Sequence, residues 1–422
     1  MDIWKERKVL VIGAARQGLA ITRYLIGQGA HVTLNDQRSS EELSAALQAL
    51  DDLPVEWALG GHPLKLLKDT DLVCVSGGVP LTLPIIAAAL NQGIALSNDS
   101  QVFMDAVPCR VVSITGSAGK TTVTTLVGRI ANAAYPQGSP SNPARKVWVG
   151  GNIGLPLINL VDQIHADDLV ILELSSFQLE LMTRSPWVAA ILNITPNHLD
   201  RHHSMEAYTA AKARILKFQT AQDVAVLGRE DPGAWSLLDQ VAGRLVSFGI
   251  KPPTGQEDAT FVQDEMLCLR QAGQIVPLMP RSVIRLRGEH NLQNVLAACA
   301  TAHAAGIPTS AMQAGIEGFT GVAHRLQWVH QWSGADWYND SIATAPERTI
   351  AAIRSFDEPL VLLLGGRDKQ LPWEDLAALV RQRVDHLVVF GESAEKILQA
   401  IGSTAYNPVS YTHLTLPTIY SV

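Results

Sequence analysis

Lys120 and Thr121 close the turn Thr115-Gly116-Ser117-Ala118-Gly119-Lys120-Thr121-Thr122, which follows a β-branched run at 111–114. Glycines let backbone N–H groups approach phosphate oxygens, a following helix points its positive end at them, a lysine adds a point charge and a threonine hydroxyl can ligate Mg2+. The spacing is G-x-x-G-K-T; Ile114 stands where the longer G-x-x-x-x-G-K-[ST] loop needs glycine. A strand-to-helix glycine turn with an incidental lysine has the same local appearance. Further on, Glu173 ends the apolar run of 168–173 and is followed by Leu174-Ser175-Ser176-Phe177-Gln178. A carboxylate at the carboxyl end of a buried strand needs a cation to meet it, and beside a phosphate loop Mg2+ is the better candidate than a buried salt bridge. The strand expected at 188–193 leads into Thr195-Pro196-Asn197-His198-Leu199-Asp200-Arg201-His202-His203, where histidine could ligate a metal or stay solvated. Ser204 can cap a helix on which Lys212, by itself, is a surface lysine lying along an apolar stripe of Tyr208, Ala211, Ile215 and Phe218.

A second set of turns sits upstream. The run Val9-Leu10-Val11-Ile12 opens into Gly13-Ala14-Ala15-Arg16-Gln17-Gly18 and a helical pattern, which is a βα unit whose glycine turn lacks the middle glycine of a dinucleotide fingerprint. The next strand, 31–34, ends at Asp36, where such a fold places an acid for a ribose hydroxyl. The missing glycine argues against NAD and for a Rossmann-like fold holding another nucleotide. A strand at 72–75 runs into Ser76-Gly77-Gly78-Val79-Pro80 at the same sheet edge, either a ligand turn or ordinary βα turn chemistry. Asn152 in Gly150-Gly151-Asn152-Ile153-Gly154, and Asn291 and Asn294 at the start of an alanine-rich helix reaching about residue 305, can each be a cap or a ligand contact.

These groups have to be positioned by a chain of 422 residues, enough for about three domains. Hydrophobic residues make up 47% and charged ones 17%, the balance of a folded globular protein. A net charge of −7 supplies no general basic field for nucleic acid or anionic lipid, so an anionic ligand must be held locally. Cys74, Cys109, Cys268 and Cys299 are scattered without a C-x-x-C pair, which disfavours disulfides and zinc and fits a reducing cytoplasm. No signal-peptide core is present, and no apolar run approaches the ~18 residues of a membrane span. Residues 135–146 are rich in Pro, Ser, Gly and Asn and read as a solvent loop. After residue 322 a third α/β pattern begins, with strands at 336–339, 360–364 and 386–390 and a helix at 394–400.

Taken jointly the motifs resemble the Mur ligase family over about residues 7–400. The carriers are the loop at 115–122, GGNIGLP at 150–156, ELSSFQLE at 173–180, NITPNHLDR at 193–201, AAK at 210–212, the segments 288–294 and 323–325, YNDSIAT at 338–344 and GGRDK at 365–369. The resemblance implies an α/β protein of three domains: a Rossmann-like UDP-substrate domain at 1–98, a central P-loop ATPase-type domain with a mostly parallel sheet at 99–322, and a Rossmann-like C-terminal ligase domain at 323–408. It further implies an ATP-dependent amide ligase of peptidoglycan precursor synthesis that adds D-glutamate to UDP-N-acetylmuramoyl-L-alanine through an acyl phosphate. Relatives adding a different amino acid, and a binding protein without ligation, are the alternatives.

The family roles put Lys120 on the β- and γ-phosphates, Thr121 and Glu173 on one Mg2+, and His198 with Lys212, carbamylated by CO2, on a second. Gly116, Ser117, Ala118, Gly119, Thr122, Asn291, Asn294, Arg325, Asp340, Asp368 and Lys369 would complete the ATP site, with domain closure. Ala15, Arg16, Gln17, Asp36, Gln37, Arg38, Ser76, Gly77 and Gly78 would hold UDP, and Asn152, Ser175 and Gln178 the sugar-peptide arm. A cytoplasmic monomer acting on small molecules, with no nucleic-acid or membrane partner, is expected. Three departures stand out. Ala118 replaces the family's usual Asn, its backbone being expected to face phosphate. Ile342 stands where many members carry Lys. Residues 409–422 match no family stretch and are expected to be a foreign tail on a truncated third domain, without a packed regular element.

Overall fold

The phosphate-loop strand lies inside a large sheet, third from one edge, and the order of strands around it explains why distant motifs meet. The structure is a computed structural model that describes residues 3–136, 145–367, 372–402 and 409–410. By compactness the chain divides into two units. The first comprises residues 1–283 and 293–317 and the second 284–292 and 318–422.

The first unit holds two sheets. One has five parallel strands, β1 (Lys8–Ile12), β2 (His31–Asp36), β3 (Glu56–Leu59), β4 (Leu72–Val75) and β5 (Ala95–Ser97), in the order β3-β2-β1-β4-β5. The order reverses between β1 and β4, so the turns that follow these two strands flank one crevice.

The other sheet has nine strands: β6 (Arg110–Thr115), β7 (Val147–Gly151), β8 (Leu169–Glu173), β9 (Val188–Ile191), β10 (Val224–Gly228), β11 (Arg244–Phe248), β12 (Asp258–Gln263), β13 (Met266–Gln271) and β14 (Gln274–Pro280). Their order is β14-β13-β12-β11-β10-β9-β6-β8-β7. It is parallel from β7 to β12, and β13 and β14 then add as antiparallel strands. From β6 the chain first builds one flank, through β7 and β8, and then the other, through β9 and β10. The carboxyl ends of β8, β6 and β9 therefore meet at a switch point, the usual ligand crevice of a doubly wound sheet. Glu173 is in register with Ile114, and Thr115 with Ile191. The inner strands are apolar on both faces, as a sheet covered on both sides requires: Val112, Ile114, Ile171, Ala190 and Ile191 have no exposure. One apolar cluster runs from Trp4 and Val11 of the first sheet region to Ile191 and Leu227 of the second.

The second unit contains an antiparallel hairpin, β15 (Gln327–Trp332) and β16 (Ala335–Asn339), and a parallel sheet of β17 (Val361–Gly365), β18 (His386–Phe390) and β19 (Val409–Ser410). Its core gathers Ile353, Leu364, Leu376, Val380, Leu387, Val389, Ile397 and Ile401. The expectation that 409–422 carries no regular element needs correcting at two positions. Val409 and Ser410 pair with Val388 and Val389, because the edge of β18 offers unpaired backbone groups to any extended segment that reaches it. Residues 411–422, Asp368 and Lys369 lie outside the described residues, as does 137–144. Among the described residues no helix is long and apolar enough to cross a membrane.

Candidate active site

The loop after β6 is held by the segment after β9. Ser117 N–H donates to Asn193 O at 2.9 Å, and the Ser117 hydroxyl donates to Thr195 O at 2.9 Å and lies 3.1 Å from the Tyr208 hydroxyl. Ala118 N–H, expected to face phosphate, donates instead to Asn193 Oδ1 at 2.8 Å. A short apolar side chain suffices at 118 because the brace is on its backbone. Gly119 has φ +82°, and a Cβ there would stand 2.2 Å from Asn294 Oδ1, so both conformation and space demand glycine. The helix Lys120–Ala134 begins immediately after it, with first-turn N–H groups that have no partner within the helix. Lys120 Nζ folds back to donate to Gly116 O at 2.8 Å. Asn294 is buried against this loop.

Beneath the loop, Thr121 Oγ1 donates to Glu173 Oε2 at 2.8 Å, and Asn152 Nδ2 donates to Glu173 Oε1 at 2.9 Å. Glu173 is 2% exposed. Lys212 is not on the surface: at 1% exposure its Nζ donates to Gly116 O at 3.0 Å and lies 3.4 Å from Thr115 Oγ1. Burial, joined by the charge of Lys120, holds the Lys212 amine well below its usual pKa against the opposing pull of Glu173. The helical stripe that made it look solvated faces the sheet, so the lysine stem enters the core and its amine ends under the phosphate loop.

The donor set suits a hard cation. Thr121 and Glu173 bring a hydroxyl and a carboxylate oxygen together in a buried place. Mg2+ is commonly held by one or two such ligands together with phosphate oxygens and water. Among the described residues no group of three or more His, Cys, Asp and Glu forms a protein-only metal cage.

The turn after β9 carries His198 and His203, both in left-handed backbone (φ +54° and +63°), around the short helix Leu199–His202. His198 is exposed, whereas His202 is 6% exposed. The expectation of a solvated histidine turn thus fails for His202, whose ring is enclosed by the helix Ser176–Leu179 and by Tyr208.

In the first sheet, Ser76 is buried and its hydroxyl donates to Gly13 O at 3.0 Å, tying the two crevice turns together. Asp36 is committed to donors from its own turn and from the turn after β1. Arg38 donates to both its oxygens, and the amides of Ala14 and Arg38 add one bond each. Burial pushes its carboxyl up, but the Arg38 and Ala14 bonds outweigh this and hold it well below the usual carboxylate range. Ala15, Arg16 and Gln37 are exposed, Gln17 and Gly77 are half-buried, and Gly78 is exposed. Arg16 donates to Gly154 O at 2.7 Å and Arg201 to Gly78 O at 3.2 Å, so the crevice turns also touch the loops after β7 and β9. Ser175 and Gln178 form a reciprocal capping box, and Asn98 Nδ2 donates to Gln178 O at 2.7 Å.

In the second unit, Asn291 Nδ2 donates to Arg287 O at 2.7 Å, and Asp340 accepts from Leu326 N–H at 2.9 Å. Burial raises the Asp340 carboxyl, opposed by the Leu326 amide, Arg325 and Arg348. Arg325 is half-buried and Ile342 is 40% exposed. The residues missed from sequence are Asn193, Tyr208, Arg201 and His202. Asn193 and Arg201 belong to the NITPNHLDR string, but nothing local to them signals a brace.

Profiles described as Mur ligase MurD-like N-terminal domain, Mur ligase middle domain, and Mur ligase glutamate ligase domain match residues 7–98, 114–302 and 324–416. The chain belongs to the Mur ligase family. It is 40% identical over 401 residues to the UDP-N-acetylmuramoylalanine--D-glutamate ligase of Symbiobacterium thermophilum, covering 95% of this chain and 86% of that protein. With the enzyme of the same name from Acidobacterium capsulatum it shares 39% identity over 93% of this chain and 84% of that one. Among solved structures, the UDP-N-acetylmuramate-alanine ligase of Thermotoga maritima shares the fold with TM-score 0.59, at 20% identity, over 96% of this chain and 90% of that chain.

Proposed function

We propose that the chain joins the amine of D-glutamate to the carboxylate of UDP-N-acetylmuramoyl-L-alanine, converting ATP to ADP and phosphate, in peptidoglycan precursor synthesis. The observation that carries the reading is the Thr121–Glu173 oxygen pair with the buried Lys212 amine beneath one glycine loop. Lys120 would leave Gly116 O for the β- and γ-phosphates, and the first-turn amides of its helix would hold the remaining oxygens. Thr121 and Glu173 would hold one Mg2+. Lys212, whose depressed pKa favours the neutral amine, would attack CO2, lose a proton to become a carbamate, and hold a second Mg2+ with His198. When bound, the two cations offset the repulsion between the substrate carboxylate and the γ-phosphate. The carboxylate takes the γ-phosphoryl group, the amine then attacks the acyl phosphate carbonyl, and phosphate leaves as the amide forms and the amine loses its proton.

Asn294, with Asn291, Arg325, Asp340, Asp368 and Lys369, would complete the ATP site. The turns at 15–17, 36–38 and 76–78 would hold UDP. Since Asp36 already accepts four donors, its part there is to shape the turn and present Arg38 and Gln37. Asn152, Ser175 and Gln178 would line the sugar-peptide arm.

The test is phosphate release with UDP-N-acetylmuramoyl-L-alanine, ATP and a panel of amino acids. Release dependent on D-glutamate is expected, and Lys120→Ala should abolish it, a loss of at least about a thousandfold for a group acting on the transferred phosphoryl, while binding of the UDP substrate survives. Release that prefers another amino acid, or that persists in Lys120→Ala, would replace this reading.

A further inference from the structure

The histidine turn contains a chain of contacts that the proposed reaction does not use. His202 Nε2 lies 2.9 Å from the Ser176 hydroxyl and its Nδ1 lies 3.1 Å from Glu180 Oε1. The His202 ring stacks on Phe177 at 5.1 Å with an interplanar angle of 2°, and lies 5.1 Å from Tyr208. Phe177 in turn meets the edge of His198 at 5.3 Å, and the Arg201 guanidinium stands 4.9 Å from its centroid.

A Ser–His–Glu order of this geometry is that of a nucleophilic triad. Here it cannot act as one, because Ser176 is 3% exposed and its hydroxyl faces the buried imidazole. With its proton on Nδ1, the ring donates to Glu180 and accepts from Ser176, so the helix after β8 grips both its nitrogens. Burial pushes the Glu180 carboxyl up, and the nearby charge of Arg201 opposes this.

The grip matters because the turn needs holding. His198 and His203 both adopt left-handed backbone, which a side chain with a Cβ enters at a cost and keeps only where its surroundings enforce it. Between them, His202 is buried and makes directional bonds to another element. Phe177 touches both His202 and His198, and so passes the anchored ring's position to the exposed one. We propose that His202 is a positioning residue that acts through Phe177 to set His198 for the second cation. The inference rests on the two-cation reading above.

The test titrates Mn2+ into the intact chain with UDP-N-acetylmuramoyl-L-alanine and a non-hydrolysable ATP analogue, following free Mn2+ by electron paramagnetic resonance. The wild-type chain should bind two ions. His202→Phe keeps an aromatic ring over Phe177 but loses both bonds, and should weaken one ion by roughly tenfold, the usual scale for groups that orient a metal ligand, while sparing the other. Glu180→Gln keeps an acceptor for Nδ1 and should stay within about twofold of wild type by the same reasoning. If His202→Phe does not fold, His202→Asn, which removes the ring stacked on Phe177 and leaves only a donor towards Glu180, should weaken the same single ion by a similar factor. Unchanged binding of both ions in the folded variant overturns the positioning role, as does equal weakening of both with a lowered melting temperature. A wild-type chain that binds one ion overturns the two-cation reading, and the inference with it.

Discussion

The glycine loop and the hairpin β15–β16 are both short segments joined by turns, yet they are held in opposite ways. Around the loop, Ser117, Ala118, Thr121 and Glu173 each have named partners on other elements, Lys120 folds back onto the loop itself, and the surrounding strands are sealed from solvent. The hairpin is largely exposed, although Tyr338 meets Phe356 at 4.9 Å. Trp328, Val329, Trp332 and Trp337 are 50%, 45%, 65% and 37% exposed, and β17 leaves Val361 at 59%. A two-stranded ribbon is marginal by itself, because its backbone bonds are not reinforced by buried apolar area. The difference teaches that order at the loop is established before a ligand arrives, whereas the hairpin belongs to the least reinforced part of the chain.

After Lys120→Ala, the largest effect is expected at the buried amine of the reinforced region. Lys212→Ala should lose nearly all ligation, about a hundredfold or more for a lost ligand-side group, and short-chain carboxylates should restore part of it. Carbamylation needs the neutral amine, so wild-type activity should fall in CO2-depleted acidic buffer and recover with added bicarbonate at higher pH. Full activity in Lys212→Ala would show that the buried amine only fills space.

Next in size is Asp99, a buried acid in the helix Asp99–Ala106, whose Oδ1 has no hydrogen-bond partner among the described residues. Burial raises its pKa to about 6, against help from the Ser100 amide, Gln178 and Arg16. Because the folded value lies above the unfolded one, the associated stability is fully present below about pH 4 and is lost as pH rises through about 6. At neutral pH the ionised group costs about 3 kcal/mol. Asp99→Asn should therefore stabilise the first unit by about 1–3 kcal/mol at pH 7 and flatten its stability between pH 4 and 6, read by denaturant unfolding. A destabilised Asp99→Asn would mean the carboxylate is needed in its charged form.

The smallest effect sharpens the contrast from the other side. Trp332→Lys should change stability by less than about 0.5 kcal/mol, since little buried area is lost. It should also reduce concentration-dependent association, followed by light scattering, as the exposed patch shrinks. A large drop in melting temperature would show the hairpin to be better supported than its exposure indicates.

Legibility in the sequence follows the range of the physics involved. The β1, β4, β6 and β8 strands and the glycine turns were readable because apolar runs and left-handed glycines are local properties. The helix Met205–Ala213 was readable from its period and from Ser204, which does cap it by accepting from Ala207 N–H. The antiparallel extension through β13 and β14 was not read, since pairing partners are chosen by the whole sheet. The same holds for the site. Lys120 and Thr121 announce themselves by spacing, but Ala118 N–H meets Asn193 only because β6 and β9 are neighbours.

The sequence by itself determined the switch from strand to helix at 115–120, the acid at the end of β8, and enough ordered motifs to define the family. Only the tertiary structure decided that Lys212 is buried under the loop, that Asp36 is consumed by Arg38 and the Ala14 amide, and that His202 is locked to Ser176 and Glu180. Burial and hydrogen-bond partners at long range arise from which elements become neighbours, and a residue's type carries no record of that until the sheets close around it.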